Sequence, residues 1–183
     1  MTRIPASLLA LALLLSPAAG SAQINPQDRA IYEQNSQQVH RYTQYTVFDS
    51  VLASVDEGRV VLSGWVTVPY KKDDVEQRVR RVTGVISVEN AIGVLPVSKG
   101  DDELRFRVAR AIYGHASFWQ YASMVNPPIH IVVNGGRVTL EGVVNSNVDR
   151  MLARSLATGF GAFEVTNLLR TDAEVRETLS NDF

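Results

Sequence analysis

The chain has no cysteine among its 183 residues. This absence excludes disulfide bonds, thiolate metal sites and cysteine nucleophiles. The chain also lacks a marked excess of one charge, because 18 basic residues stand against 19 acidic ones and leave a formal net charge of −1. A nucleic-acid-binding protein generally carries a strong basic excess, so the composition predicts no nucleic-acid partner.

Motifs that carry chemistry are scarce as well. The three histidines, His40, His115 and His130, are scattered and have no neighbour at the spacing of metal ligands. The sequence contains no G-x-S-x-G, no H-E-x-x-H and no paired-carboxylate signature. We therefore expect no catalytic residue, no metal and no cofactor, and we interpret the chain as non-enzymatic.

Long apolar runs are absent after the first residues. Arg3 gives a positive start, residues 8–15 are apolar, and residues 17–22 are mostly small. This layout is typical of a secretory signal peptide, residues 1–22, cleaved after Ala22. The apolar run is much shorter than the roughly 20 residues that a bilayer span needs. No cysteine follows it to carry a lipid anchor, so we expect an exported, periplasmic protein.

What the sequence does contain is one stretch written twice. Residues 58–66 read GRVVLSGWV, and residues 136–144 read GRVTLEGVV, 78 positions further along the chain. A second pair follows in the same order, with residues 84–90 reading GVISVEN and residues 161–167 reading GAFEVTN. Two matched pairs in one order predict that the chain holds one small domain twice.

Hydrophobic periodicity gives each copy the order helix, strand, strand, helix, strand. Residues 51–55 and 60–66 alternate around a turn, which indicates a β-hairpin. Helical spacing predicts helices over residues 71–83, 102–113 and 148–160, and closing strands are expected over 85–94 and 162–169. A first helix from Asp28 is also expected, although Gln34, Gln37 and Gln38 dilute its apolar stripe.

These elements predict an α+β fold of two αββαβ modules. Each module is expected to form a three-stranded mixed sheet with two helices on one face. The first module should cover residues 28–97 and the second residues 101–171. Residues 172–183 are charged, and we expect them to be a frayed C-terminal tail.

The paired motifs resemble the BON domain, a module named for bacterial osmotically inducible and nodulation proteins. The residues that carry the resemblance are Gly58, Val60, Leu62, Gly64, Gly84, Val88 and Asn90, and then Gly136, Val138, Leu140, Gly142, Gly161, Val165 and Asn167. The resemblance implies an αββαβ module of the cell envelope that interacts with phospholipid membranes and supports envelope integrity under osmotic or related stress. It implies no catalytic residues.

The shared glycines have a structural interpretation. Gly58 and Gly136 are expected to supply positive φ angles in the hairpin turns. Gly64 and Gly142 lie inside a strand, where glycine marks a bulge or a close approach of another element. The alternative, a ligand-binding role, lacks the strand-to-helix phosphate loop that such a role would require.

The predicted helix over residues 102–113 has an unusual outer face. Opposite its apolar stripe lie Phe106, Arg110 and Tyr113, and the aromatic residues Phe118, Trp119 and Tyr121 follow. Aromatic rings mixed with arginine suit a membrane interface, because rings settle at headgroup depth while arginine meets phosphate. The alternative is that these rings cover the neighbouring domain or a sheet edge, as aromatic residues in small proteins often do.

A secondary basic patch is predicted on the helix over residues 71–83. Its members are Lys71, Lys72, Arg78, Arg80 and Arg81, and three nearby acidic residues partly neutralise it. A solvated amphipathic face is the competing interpretation. Trp65 lies on the strand face opposite Val60, Leu62 and Val66, and we expect it to contact the other domain; an exposed binding patch is the alternative.

Two functions fit these observations. The first is peripheral binding to an anionic phospholipid membrane surface through the aromatic face. The second is a protein-interaction or scaffold module that docks an envelope protein through the same face or through the open face of a sheet.

Overall fold

The structure, a computed structural model, describes residues 25–181. The expected signal peptide, residues 1–22, lies outside the described residues. Among residues 25–181, no helix is both long enough and apolar enough to cross a bilayer.

Each half of the chain builds its own sheet and helices. The first half contains α1 (Pro26–His40), β1 (Ser50–Asp56), β2 (Arg59–Val66), α2 (Pro69–Arg80), β3 (Ser87–Asn90) and β4 (Gly93–Val94). The second half contains α3 (Lys99–Tyr113), a 3-10 turn (Ala116–Phe118), α4 (Trp119–Ala122), β5 (Ile129–Asn134), β6 (Arg137–Val144), α5 (Asn147–Thr158), β7 (Glu164–Asn167), β8 (Arg170–Thr171) and α6 (Asp172–Asn181). Helix α2 begins at Pro69, two residues before the predicted start at residue 71, because proline suits the first position of a helix.

Both sheets have the same topology. In the first, β2 is central, antiparallel to β1 and parallel to β3 and β4. In the second, β6 takes the central place between β5 on one side and β7 with β8 on the other. The predicted α+β class and the mixed sheets are therefore confirmed.

Each closing strand is divided in two, where the sequence predicts one strand. Asn90 causes the break in the first sheet, because its side chain accepts a bond from the backbone N–H of Ile92 (3.2 Å) and donates one to the carbonyl of Lys72 (3.1 Å). Asn167 makes the matching pair of bonds, to Leu169 and Arg150. A side chain that bonds the local backbone in this way competes with the strand ladder and joins it to the neighbouring helix.

Two separate hydrophobic cores lie between the sheets and their helices. The first is formed by apolar residues of α1, β2 and α2, among them Ile31, Leu62 and Val79. The second is formed by residues of α3, β5, β6 and α5, among them Val108, Leu140 and Ala153. Each domain therefore buries its own apolar surface, as the sequence repeat predicts.

The glycine predictions are confirmed at the hairpins. Gly58 and Gly136 have φ angles of 76° and 74° in the two turns. Gly64 and Gly142 also have positive φ, and a Cβ atom at either would collide with a backbone carbonyl, that of Ser50 or Pro128 respectively. These glycines are required by backbone geometry, because both the angle and the space exclude a side chain.

The C-terminal segment departs from the prediction of a frayed tail. Residues Asp172–Asn181 form helix α6. Its first turn is fixed by Glu174, whose carboxylate accepts bonds from the backbone N–H of Thr171 (2.8 Å) and from the guanidinium of Arg150 (2.7 Å). The prediction took the charged residues of this segment as solvated, whereas Glu174 pairs with Arg150 of α5.

The segment between α1 and β1 joins the two domains. The backbone N–H of Ile131, on the outer edge of β5, donates to the carbonyl of Val47 (2.7 Å). Phe48 packs against the second core, and the rings of Tyr45 and His130 lie 5.3 Å apart. The first domain therefore covers part of the free edge of the second sheet.

Candidate functional site

The structure divides the predicted aromatic set into buried and exposed members. Phe118 and Tyr121 are 0% and 1% exposed and belong to the second core, so the prediction that they form part of a surface was wrong. Phe118 ends the 3-10 turn after α3, and its side chain lies in the second core. The Tyr121 hydroxyl donates to Asp149 (2.8 Å) and accepts from the backbone N–H of Asn145 (2.8 Å). Burial raises the pKa of Tyr121 to about 12.

Tyr113 forms hydrogen bonds with the backbone at the edge of β5. Its hydroxyl donates to the carbonyl of Ile129 (2.5 Å) and accepts a bond from the N–H of the same residue (3.1 Å). The ring is half-buried, and burial raises the pKa of the hydroxyl well above its usual range. The Tyr113 hydroxyl therefore bonds the backbone groups of Ile129 at the edge of β5, and the side chain contributes little to an outer surface.

The exposed members are Phe106, Arg110 and Trp119. Phe106 is 59% exposed and Trp119 is 75% exposed, both large fractions for aromatic side chains. Phe106 is held by an edge-to-face contact with Phe48, with ring centroids 5.0 Å apart. The loop after α4 adds two further exposed apolar side chains, Met124 and Val125.

A shallow groove of about 640 Å³ runs beside Phe106 on α3. It is lined by Lys99, Asp102, Glu103, Phe106, Arg107 and Arg110. Asp102 is engaged by the buried guanidinium of Arg105, which also donates to the carbonyl of Val133 (3.2 Å). With that acid paired, the three cations of the groove face one remaining acid, Glu103. The groove therefore offers a modest positive potential next to an exposed ring.

The secondary basic patch does not form one surface. Lys71 is buried and makes an ion pair with Asp49 (2.6 Å), so its place in the predicted patch was wrong. Arg80 pairs with Glu76 on its own helix (2.6 Å), and Arg78 lies over the ring of Tyr42 at 4.7 Å. Lys72 and Arg81 are the two members of the patch without such an engagement among the described contacts.

The environment of Asp49 explains the burial of Lys71. Burial alone would raise the pKa of this carboxyl, but hydrogen bonds from Lys71, Thr67 and Thr46 hold it below its usual range. The backbone N–H of Thr67 donates to Asp49 at 2.8 Å, and that of Thr46 donates at the same distance. Asp49 is thus a charged centre that ties the start of β1 to the start of α2. The sequence offered no signal for it, since Thr67 and Lys71 lie 18 and 22 residues further along the chain.

Trp65 packs against the neighbouring strand of its own sheet, and its expected contact with the other domain stays a prediction. Its ring lies across Gly93 of the neighbouring strand, where a Cβ atom would come within 2.5 Å of the ring. The side chain is 38% exposed. The glycine leaves room for the indole, so an aromatic ring covers the peptide backbone on the open face of the first sheet.

Two buried aspartates, one in each domain, make equivalent hydrogen bonds that the sequence analysis did not predict. Asp28 accepts bonds from the backbone N–H groups of Glu57 (2.9 Å) and Gly58 (2.8 Å). Asp101 does the same for Gly135 (2.9 Å) and Gly136 (2.8 Å). Each joins the first turn of a helix to a hairpin turn. The detectable signal was an aspartate at the start of the first helix in both copies.

The described part of the chain brings together no group of three or more histidine, cysteine, aspartate or glutamate side chains that could hold a metal ion.

The BON domain family matches residues 38–96 and again residues 101–173. Because these matches cover most of the chain, the chain belongs to the BON domain family and carries two copies in tandem. No curated protein gives a significant match to the sequence.

Two solved structures of CdsD, a structural protein of the type III secretion system of Chlamydia trachomatis, are similar to the chain. The C-terminal domain of CdsD shares 16% identity at a TM-score of 0.32, over 78% of this chain and 65% of that chain. The second structure shares 15% identity at a TM-score of 0.29, over 81% of this chain and 96% of that one. The chain thus spans less than two thirds of the first structure, and a likeness this slight carries no argument about function.

Proposed function

We propose that this tandem BON-domain protein is exported to the periplasm, is not an enzyme, and binds anionic phospholipid surfaces through its second domain, supporting the integrity of the cell envelope under osmotic or related stress. The observation that carries the proposal is the pair of exposed rings, Phe106 and Trp119, with Arg110 on the same helix as the first. The composition and the BON resemblance support the non-enzymatic part.

The energetics suit reversible, peripheral binding. Full burial of a phenylalanine side chain contributes about 1.5–3 kcal/mol. Each basic residue near an anionic bilayer contributes about 1 kcal/mol. Phe106 and Trp119 together with Arg107 and Arg110 therefore supply several kcal/mol, without a membrane-spanning segment among the described helices.

Co-sedimentation with vesicles tests this function. Residues 23–183 should sediment with vesicles that contain phosphatidylglycerol and remain in solution with pure phosphatidylcholine. The variant Phe106→Ala with Trp119→Ala should lose about tenfold or more in affinity, because two anchoring rings are removed. Phe163→Ala is the matched control, since Phe163 is an exposed ring on another part of the second domain and should leave binding unchanged.

The outcomes separate the two candidate functions. Undiminished lipid binding by the double variant would contradict the proposed site. Absence of lipid binding by the parent chain, together with a discrete crosslinked envelope protein that depends on Phe106, would favour the scaffold function instead.

A further inference from the structure

Asn35 is a polar residue buried beside the first hydrophobic core. It is 1% exposed and lies on the inner stripe of α1 between Ile31 and Val39, yet neither atom of its amide has a hydrogen-bond partner among the described residues. Counted from the matched aspartates that begin the two stripes, Asn35 corresponds to Val108 in α3, which is fully buried. A buried polar group without a hydrogen-bond partner destabilises the fold. We therefore expect the Asn35 amide to bond a group from another molecule.

Asn35 lines a cavity of about 340 Å³ that opens between the domains. The cavity extends inward to Leu62 and Val79 of the first core and outward to Pro128 and His130 of the second domain. About half of its lining residues are aliphatic, and more of its exposed lining surface is apolar than polar. His130 contributes a second polar atom, Nδ1, that is buried and has no partner in the described structure.

The edge of β1 forms another wall of this cavity, and it differs from the equivalent edge of β5. In β5, the outward-facing N–H of Ile131 donates to the carbonyl of Val47 (2.7 Å). The outward-facing carbonyl of Val133 accepts from Arg105 (3.2 Å). The second sheet therefore has its free edge satisfied by other parts of the same chain.

At the edge of the first sheet, one such bond is formed among residues 25–181. The N–H of Val51 donates to the hydroxyl of Tyr45 (3.0 Å). Ala53, two residues further along, faces outward in the same way and lines the cavity, but within residues 25–181 no group bonds its peptide N–H or carbonyl on that side. Ala53 is the counterpart of Ile131, since Ile131 pairs with Leu140 as Ala53 pairs with Leu62.

We propose that the cavity is a docking site for an extended peptide segment of a partner protein, which adds a strand to the edge of β1, pairs a peptide group with the Asn35 amide and places an aliphatic side chain between α1 and the sheet. A primary amide presents one donor side and one acceptor side, as a peptide group does, and so complements it directly. Edge strands recruit extended segments through the same backbone bonds. Val47 already makes such a bond at the equivalent position of β5.

The residues that line the cavity indicate which peptide side chains it would bind. Aliphatic lining favours a valine, leucine or isoleucine at the central position. Nδ1 of His130, which is buried without a partner among the described residues, can exchange one hydrogen bond with a peptide group. The site is distinct from the exposed rings of α3 and α4, and it does not depend on lipid.

A phage-displayed library of random nine-residue peptides, panned without lipid against residues 23–183, tests the proposal. We expect enriched peptides with alternating aliphatic residues. Asn35→Val, which copies the residue of the second domain, should weaken their binding about tenfold or more. The same variant should raise the Tm by roughly 2–8 °C, because it removes an unsatisfied amide. Loss of affinity in a more stable protein cannot be attributed to unfolding.

Two further measurements complete the test. Bound peptide should slow hydrogen exchange at the amide of Ala53 in the unmodified chain, and Phe106→Ala with Trp119→Ala should bind peptide normally. Failure to enrich any peptide, equal binding by Asn35→Val, or unprotected Ala53 would overturn the proposal. None of these results depends on whether the protein binds vesicles.

Discussion

The two domains share one framework and differ in how they use it. Both tie a hairpin turn to a helix with a buried aspartate, Asp28 in the first and Asp101 in the second. The two domains differ in the group that accepts a hydrogen bond from the first backbone N–H after the central strand. In the first domain, the N–H of Thr67 donates to the charged Asp49; in the second, that of Asn145 donates to the neutral hydroxyl of Tyr121.

The difference extends to the faces that the domains present. The first domain has a charged pair in its interior, an open strand edge and a cavity beside Asn35. The second has an apolar stripe with Val108 at that position, a satisfied strand edge and exposed rings on its outer surface. Both copies of the domain thus keep the aspartate that bonds the hairpin turn. They differ in their surfaces, since the first has a cavity beside an open strand edge and the second has exposed aromatic rings.

The largest expected effect is at the charged pair. Asp49→Asn should lower the free energy of unfolding of the first domain by about 3–5 kcal/mol, because it leaves the ammonium of Lys71 buried without a counter-charge. Urea unfolding can be followed through Trp65 in a Trp119→Phe background. Adding Lys71→Met should recover much of the loss. The equivalent change in the second domain, Tyr121→Phe, should cost less, since the hydroxyl that it removes is a neutral group and its loss leaves no buried cation without a counter-charge. Equal losses would contradict the contrast between the domains.

A smaller and symmetrical effect is expected at the shared framework. Asp28→Ala and Asp101→Ala should each lower the stability of their own domain by about 1.5–3 kcal/mol, because each removes charge-assisted bonds to a hairpin turn. Thermal unfolding followed by circular dichroism measures both. Asparagine at the same positions keeps one acceptor and should recover part of the loss. A large loss in one domain and none in the other would show that the framework is not shared.

The smallest effect concerns pH and the junction of the domains. Burial lowers the pKa of His130 in the folded protein, so the unfolded chain binds its proton more readily. Between the folded pKa and the unfolded value of about 6.5, the unfolded state therefore holds more protons, and stability falls as the pH falls. The charge of nearby His40 acts in the same direction as burial, while Asp49 and Thr46 oppose it. Thermal unfolding from pH 8 to pH 5 should show this decline, and His130→Gln should flatten it. An unchanged pH profile in that variant would rule out His130 as its source.

The framework was predictable because the repeat encodes it locally. Hairpin glycines, alternating strands and the Asn90 and Asn167 segments lie within a few residues of the structures they form. Burial was less predictable where partners are distant. Lys71 was taken for a surface cation because its counter-charge, Asp49, precedes it by 22 residues. Phe118 was taken for a surface ring because a 3-10 turn, and not a helical repeat, sets its direction.

The candidate surface was therefore only partly predictable. Helical spacing from α3 correctly placed Phe106 and Arg110 on an outer face. It said nothing about the chain beyond the helix, where Trp119 is exposed and Tyr121, two residues later, is buried. The cavity beside Asn35 had no clear sequence signal, although the exchange of Asn35 for Val108 between the two copies marks the position.

Tryptophan fluorescence tests the central claim most directly. The chain has two tryptophans, so Trp65→Phe leaves Trp119 as the sole indole in the protein. Because Trp119 is expected to enter the headgroup region, its emission should shift to shorter wavelength on adding phosphatidylglycerol vesicles, and brominated acyl chains should quench it. Pure phosphatidylcholine vesicles should have little effect. Emission from Trp119 that stays unshifted and unquenched on anionic vesicles would contradict the proposal that the second domain binds the membrane through this surface.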